Sequence, residues 1–225
     1  MTIPRRQLPG IVLACLLLLP ASLGAQREGG TLRIYLARHG ESDANAAGRV
    51  SGWQDVRLTA KGRQQAEVLR ESLRAIPIDA VYSSTLSRSR ETARILRPDT
   101  PATPLDSLKE KSGGRFEGLP AGDPELLRRL RDPDDALDGG ESLNQLTGRV
   151  RRGLDQIRRE HPSGTVLVVG HAWTNRAILR VLLDLPAERA FAVDQGNDEL
   201  YLIELGAGGR PRLWKLIREG NLGDL

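Results

Sequence analysis

The chain has 225 residues, with 33 Lys+Arg against 29 Asp+Glu, a formal charge of +4 and few aromatic residues. That balance lacks the basic stripe with interleaved aromatics that nucleic-acid binding uses, so nucleic acid is not an expected partner. A lone cysteine, Cys15, excludes a fold stapled by internal disulfides.

The first segment reads as an export signal. Arg5 and Arg6 form a basic start, Ile11 to Leu19 is apolar and uncharged, and Pro20 to Ala25 supplies small residues ahead of Gln26. Cleavage after Ala25 is expected, so residues 1–25 read as a signal peptide and 26–225 as a single domain in the periplasm or outside the cell. The apolar run falls short of the ~20 residues that a membrane span requires, so membrane contact is expected only through the export signal. A retained anchor and lipidation at Cys15, within Val12-Leu13-Ala14-Cys15, are the competing readings. Without Arg5 and Arg6 the balance falls to +2, and the remaining 200 residues suffice for one compact core.

Residues 31–37 are short, apolar and partly β-branched, and read as a buried strand. Gly48 to Leu58 reads as loop. Thr59 is the expected N-cap of a helix over 60–73, with Ala66, Leu69 and Leu73 on one face. Residues 79–83 form a second short strand. Ser84 opens a helix with Leu86, Ala93 and Leu96 facing inward, stopped by Pro98, Pro101 and Pro104. A glycine-rich stretch follows, with a short helix over 125–130. Glu141 to Glu160 reads as a long helix from the spacing of Leu143, Leu146, Val150, Leu154 and Ile157. Thr165 to Val169 is the clearest core strand, and 174–183 is helical. Two further strands, 200–205 and 212–217, flank Gly206-Ala207-Gly208-Gly209 and are expected to be antiparallel. Strands alternating with helices predict an α/β three-layer sandwich, a mostly parallel central sheet flanked by helices.

Polar groups sit at three strand-to-helix junctions: Arg38-His39-Gly40-Glu41, Ser83 to Arg88, and Gly170-His171. Ligands of open α/β sheets bind at the carboxyl ends of strands, so two arginines and two histidines should share one rim. Arginine is a charged planar fork suited to phosphate oxygens, and histidine is a nucleophile near neutral pH. The grouping points to phosphoryl chemistry on an imidazole.

Longer blocks sharpen this reading. They are Arg38-His39-Gly40-Glu41-Ser42-Asp43-Ala44-Asn45, Ser51 to Ala66, Ser83 to Ala93, Leu108-Lys109-Glu110 with Gly114, Phe116, Glu117 and Gly118, then Gly139-Gly140-Glu141-Ser142 and Val169-Gly170-His171. In this order, over about residues 32–180, they resemble the histidine phosphatase superfamily in its phosphoglycerate mutase-like branch. The resemblance implies His39 as nucleophile, with its other ring nitrogen donating to a backbone carbonyl, that of Gly40 being the candidate. Arg38 and Arg88 would clamp the phosphoryl oxygens, with His171 as the second histidine, protonated or donating, opposite the nucleophile. Glu110 would protonate the leaving alkoxide and then activate water. Asn45 would add a phosphate or substrate contact. Trp173 stands where many members carry a small residue, and would narrow the pocket or stack on substrate. Ser112-Gly113 and Phe116 also depart from the family pattern, which leaves the substrate unidentified.

No cofactor and no metal is implied. The partner expected from the resemblance is a phosphorylated small molecule. The expected function is a metal-independent phosphomonoesterase working through a phosphohistidine on His39. Phosphoglycerate mutase-type phosphotransfer and a non-catalytic phosphate-binding module are the alternatives. Only 61 positions separate Glu110 from His171, short for a mutase's enclosing insertion. Glu41 and Glu117 compete with Glu110, with Glu41 read as propping the nucleophile loop. Trp53 is read as packing, His161 as a helix cap, and Arg90, Arg94, Arg128, Arg129 and Arg131 as solvated charges.

Overall fold

The computed structural model describes residues 30–206 and 210–216. The expected signal segment 1–25 with Cys15 lies outside these residues, as do positions 207–209 of the expected turn and Ile217.

Six strands form one sheet in the order β3-β2-β4-β1-β5-β6. They are β1 (Leu32–Arg38), β2 (Ala80–Ser83), β3 (Thr103–Pro104), β4 (Gly164–Gly170), β5 (Leu200–Leu205) and β6 (Arg212–Leu216). The first four run parallel, and β5 and β6 are antiparallel additions beyond β1. The two central strands, β1 and β4, are covered on both faces. Their sequences are therefore continuous apolar runs rather than alternating ones.

Successive side chains point to opposite faces of a strand, and this divides the core. Ile34, Leu36, Val166 and Val168 pack with the apolar stripe of α5 (Leu143–Glu160) and with α6 (Ala172–Leu182). Tyr35, Ala37, Leu167 and Val169 pack with α2 (Ala60–Leu73) and α3 (Ser87–Leu96). The result is the expected three-layer α/β sandwich. Full burial of each such aliphatic side chain contributes about 1.5–3 kcal/mol.

Three short helices complete the set: α1 (Asp43–Ala46), α4 (Pro124–Arg129) and α7 (Ala187–Ala192). Several boundaries differ from the sequence expectation. Helix α5 starts at Leu143 rather than Glu141, because Ser142 and Gln145 form a reciprocal capping box. Helix α3 starts at Ser87 rather than Ser84, and α6 starts at Ala172 rather than Thr174. The proline-rich stop after α3 contains the two-residue edge strand β3, where Pro104 is tolerated.

The pairing of β1 with β4 brings two histidines together. Arg38 at the end of β1 lies opposite Gly170 at the end of β4. The next residue on each strand is a histidine, and the His39 N–H donates to the Gly170 carbonyl at 3.1 Å.

Candidate active site

His39 leaves β1 into a turn pressed against the start of α2. A Cβ on Gly40 would lie 2.2 Å from the Gly62 carbonyl oxygen, so this approach requires glycine. His39 Nδ1 donates to the Gly40 carbonyl at 2.7 Å, while Arg88 Nε donates to His39 Nε2 at 3.3 Å. A carbonyl on one side and an arginine donor on the other fix the tautomer: the proton is on Nδ1 and the lone pair on Nε2. Burial, then the charges of Arg88 and Arg38, hold the His39 pKa well below its ordinary value of 6.5.

Arg88 is fully buried at the start of α3. Its two terminal nitrogens each donate at 2.9 Å, to the Gln54 and Gly52 carbonyls. These bonds lock the guanidinium plane beside His39. Arg38 is tethered through Nη1 to the Gln195 carbonyl at 2.9 Å, and its buried Nε has no partner among the described residues. Burial lowers the pKa of both arginines, with Glu110 the leading carboxylate opposing it. Arg88, fully buried, and Arg38, half-buried, have no ion-pair partner among the described residues, which favours an incoming anion.

His171 N-caps α6, and its ring centroid lies 4.9 Å from that of His39. Ser84 Oγ accepts the Leu86 N–H at 3.2 Å and sits 2.7 Å from His171 Nε2. With the Ser84 hydroxyl donating to Nε2, the His171 proton resides on Nδ1, a buried atom with no partner among the described residues. In that tautomer Arg38 Nε and His171 Nδ1 are two buried donors free for phosphoryl oxygens. Burial first, then Arg88, His39, Arg38 and Arg149, hold the His171 pKa well below 6.5.

Both rings are therefore neutral in the folded protein at pH 7. Their 15N imidazole shifts should not change between about pH 8 and about pH 6, and a His39 titration near the ordinary value of ~6.5 would overturn the assignment. The unfolded chain takes up these protons as pH falls below ~6.5, so the two rings make stability decline on the acid side of that value.

Glu110 is buried beneath the N-terminus of α6. Its Oε1 accepts the backbone N–H groups of Lys111 at 2.9 Å, Trp173 at 3.1 Å and Thr174 at 3.2 Å. Oε2 has one longer contact, from Trp173 N at 3.4 Å. The carboxyl is anchored through one oxygen and the other is left for chemistry. Glu110, Asn45 and Trp173 line a cavity of about 160 Å³. Asn45 spends its amide oxygen on the Ser42 capping box, which leaves its amide N–H groups for a ligand. Trp173 stacks edge-on against Phe191 and lies under the Arg176 guanidinium.

A family model described as "Histidine phosphatase superfamily (branch 1)" matches residues 34–216. The chain belongs to that superfamily. Phosphoserine phosphatase 1 of Hydrogenobacter thermophilus is 33% identical over 183 residues, covering 77% of this chain and 87% of the relative. The metal-independent phosphoserine phosphatase of Arabidopsis thaliana is 35% identical over 164 residues, covering 67% and 68%. Among solved structures, a mycobacterial glucosyl-3-phosphoglycerate phosphatase superposes with a TM-score of 0.74 at 26% identity, covering 81% of this chain and 97% of that one. By family and relatives this is a phosphatase hydrolase.

In this histidine phosphatase the competing acids are structural. Glu41 accepts from Thr59 Oγ1 at 2.9 Å and Lys61 Nζ at 2.8 Å, tying the nucleophile turn to α2. Glu117 Oε1 accepts the Trp53 and Gly113 N–H groups. His161 C-caps α5, and Arg90 and Arg94 are exposed.

Two expectations from the sequence are corrected. Trp53 is 46% exposed and is not core packing; its indole N–H holds the Glu110 carbonyl at 2.7 Å. Arg129 is not a solvated charge; it is half-buried and paired with Asp135 and Asp138, closing the loop after α4.

Sequence reasoning missed several supporting groups. From α5, Arg149 donates to the carbonyls of Asp106, Ser107, Lys109 and Glu110 while pairing with Glu141 through two nitrogens. It clamps the loop that carries the acid. Gln195, buried, receives Asn175 Nδ2 at 2.7 Å and donates to the Leu36 carbonyl at 3.0 Å, which braces Arg38 from behind. Ser84 orients His171. Ser84 lies inside the Ser83 to Ala93 block, which gave it no role of its own, and nothing in the sequence marked Gln195 or Arg149.

Proposed function

We propose that this chain is a metal-independent phosphomonoesterase acting through a phosphohistidine on His39. The observation that carries the reading is the pair of opposed contacts that put the His39 proton on Nδ1 and keep the lone pair on Nε2, where only the long Arg88 hydrogen bond meets it. In the first step Nε2 attacks phosphorus, the P–O bond to the alcohol breaks, and Glu110 gives its proton to the departing oxygen. Arg38, Arg88 and His171 donate to the equatorial oxygens, where charge builds in the transition state. In the second step Glu110 takes a proton from water, the oxygen attacks phosphorus, and the P–N bond breaks to free phosphate and regenerate the ring. Positive charge comes from the two arginines. Among the described residues no group of three His, Cys, Asp or Glu is arranged to hold a metal ion. With residues 1–25 as an export segment, the proposal extends to esters outside the cytoplasm.

The test is trapping. Enzyme mixed with 32P-labelled ester and quenched in alkali should carry label on His39 Nε2 that is released by acid. Its decay should yield inorganic phosphate even with 3-phosphoglycerate present. Absence of label during turnover would sink the covalent route, and transfer to the second acceptor would favour the mutase.

A further inference from the structure

The cavity beside Glu110 contains a lysine that the phosphoryl chemistry does not use. Lys111 is 5% exposed, and its Nζ is buried with no hydrogen-bond partner among the described residues. It lines the cavity together with the apolar Val50, Leu126, Leu130, Leu137 and Trp173, and with Arg49 and Glu110. Its Nζ lies 6.0 Å from the centroid of the Trp173 ring, another wall of the same cavity. A buried ammonium group with no hydrogen-bonded anion among the described residues is costly, and hydrophobic replacement at such a site is commonly neutral or stabilising. Packing therefore does not account for a lysine here.

Resting on the phosphatase reading, we propose that Lys111 is a specificity-determining residue that receives a carboxylate on the substrate's leaving group. The substrate class is then a phosphomonoester whose alcohol has an apolar body and a terminal carboxylate. The phosphoryl group lies against His39 and the two arginines, the bridging oxygen meets Glu110, the body lies along the leucine walls and Trp173, and the carboxylate reaches Nζ. A monoanion matches the one buried ammonium, since Arg49, the other cation of the lining, is exposed. A second phosphate would bring surplus negative charge close to Glu110 and Glu141.

The charges facing Lys111 come from four places. Glu110 is on its own loop, Glu141 precedes α5, Asp135 is on the loop after α4, and Arg129 is at the end of α4. Burial is the dominant effect and pulls its pKa down to about 8, with Glu141, Glu110 and Asp135 opposing and Arg129 adding to the fall. Below that value the group is an ammonium donor, and above it a neutral amine. A carboxylate preference should therefore fade as pH rises through about 8.

The test compares kcat/KM for a graded series of ω-carboxyalkyl phosphates with alkyl phosphates of matching length. At one chain length the wild-type enzyme should favour the carboxylate by about tenfold or more, the size of a charge-assisted hydrogen bond. Lys111→Met should bring that ratio close to one, whatever happens to the absolute rates. Lys111→Arg should restore a preference. A ratio near one at every length in the wild type, or a preference that survives Lys111→Met, overturns the inference and leaves the phosphatase reading intact. Should Lys111→Met not fold, the wild-type ratio measured across pH decides: loss above about pH 8 supports Lys111, and a flat ratio removes it. If neither series is hydrolysed, the phosphatase reading falls and this inference with it.

Discussion

Alanine at position 39 is expected to lower kcat for every phosphomonoester by about 10⁵-fold or more, the scale on which removal of a covalent nucleophile acts. That corresponds to about 7 kcal/mol of lost barrier reduction. The arginines, His171 and Glu110 would still bind and polarise the ester, but no group in the site would take the phosphoryl. Arg88 is held by the Gly52 and Gln54 carbonyls independently of the ring, so its guanidinium should keep its place and the fold its cooperative melt. Steady-state turnover of 4-nitrophenyl phosphate, with alkaline-quench labelling and a thermal melt on the same sample, checks the result. Activity within tenfold of wild type in a folded variant would exclude His39 as nucleophile.

Glu110→Gln should divide substrates by leaving group. Glutamine retains one oxygen to accept the Lys111, Trp173 and Thr174 N–H groups, so the loop and the start of α6 stay docked. What it lacks is a transferable proton. Alkyl phosphates, whose alkoxide needs that proton as the bond breaks, should slow by about 10²–10⁴-fold. A nitrophenolate leaves unaided, so the corresponding aryl ester should lose less than about tenfold in the first step, read from the burst of phenolate. Equal slowing of both classes in the burst would show that Glu110 positions the substrate and does not protonate it.

The parts visible in the sequence were those encoded by local pattern. The stripe Leu143, Leu146, Val150, Leu154, Ile157 repeats at helical spacing, and α5 follows it. The runs of β1 and β4 are apolar throughout because both faces are covered, and they mark the sheet centre. His39, Arg88 and His171 were legible because each closely follows a strand end, where the topology collects ligand-binding groups. Helices α1 and α7, of four and six residues, are too short for periodicity to show.

Other features depend on contacts that no local window contains. Gln195 supports Arg38 from 157 positions away. Arg149 reaches back about 40 positions to the acid loop. Lys111 follows Lys109 and Glu110, so the stretch reads as solvated charge; only the folded loop shows one of the two lysines held inside. The expected start of α6 at Thr174 hid the fact that Trp173 and Thr174 present helix-end N–H groups to Glu110.

The register of β1 against β4 has a consequence for how such an enzyme diversifies. The paired histidines hang from neighbouring strands inside the sheet. Every wall of the cavity instead comes from residues 45–52, 110–113 and 121–137 and the first turn of α6. Apart from Glu110, the Gly52 carbonyl that holds Arg88 and the turn of α6 that His171 caps, these outer segments can be exchanged, lengthened or retailored without disturbing the spacing of the reacting rings. One displacement chemistry can then be handed from one metabolite to another by redecorating the rim alone.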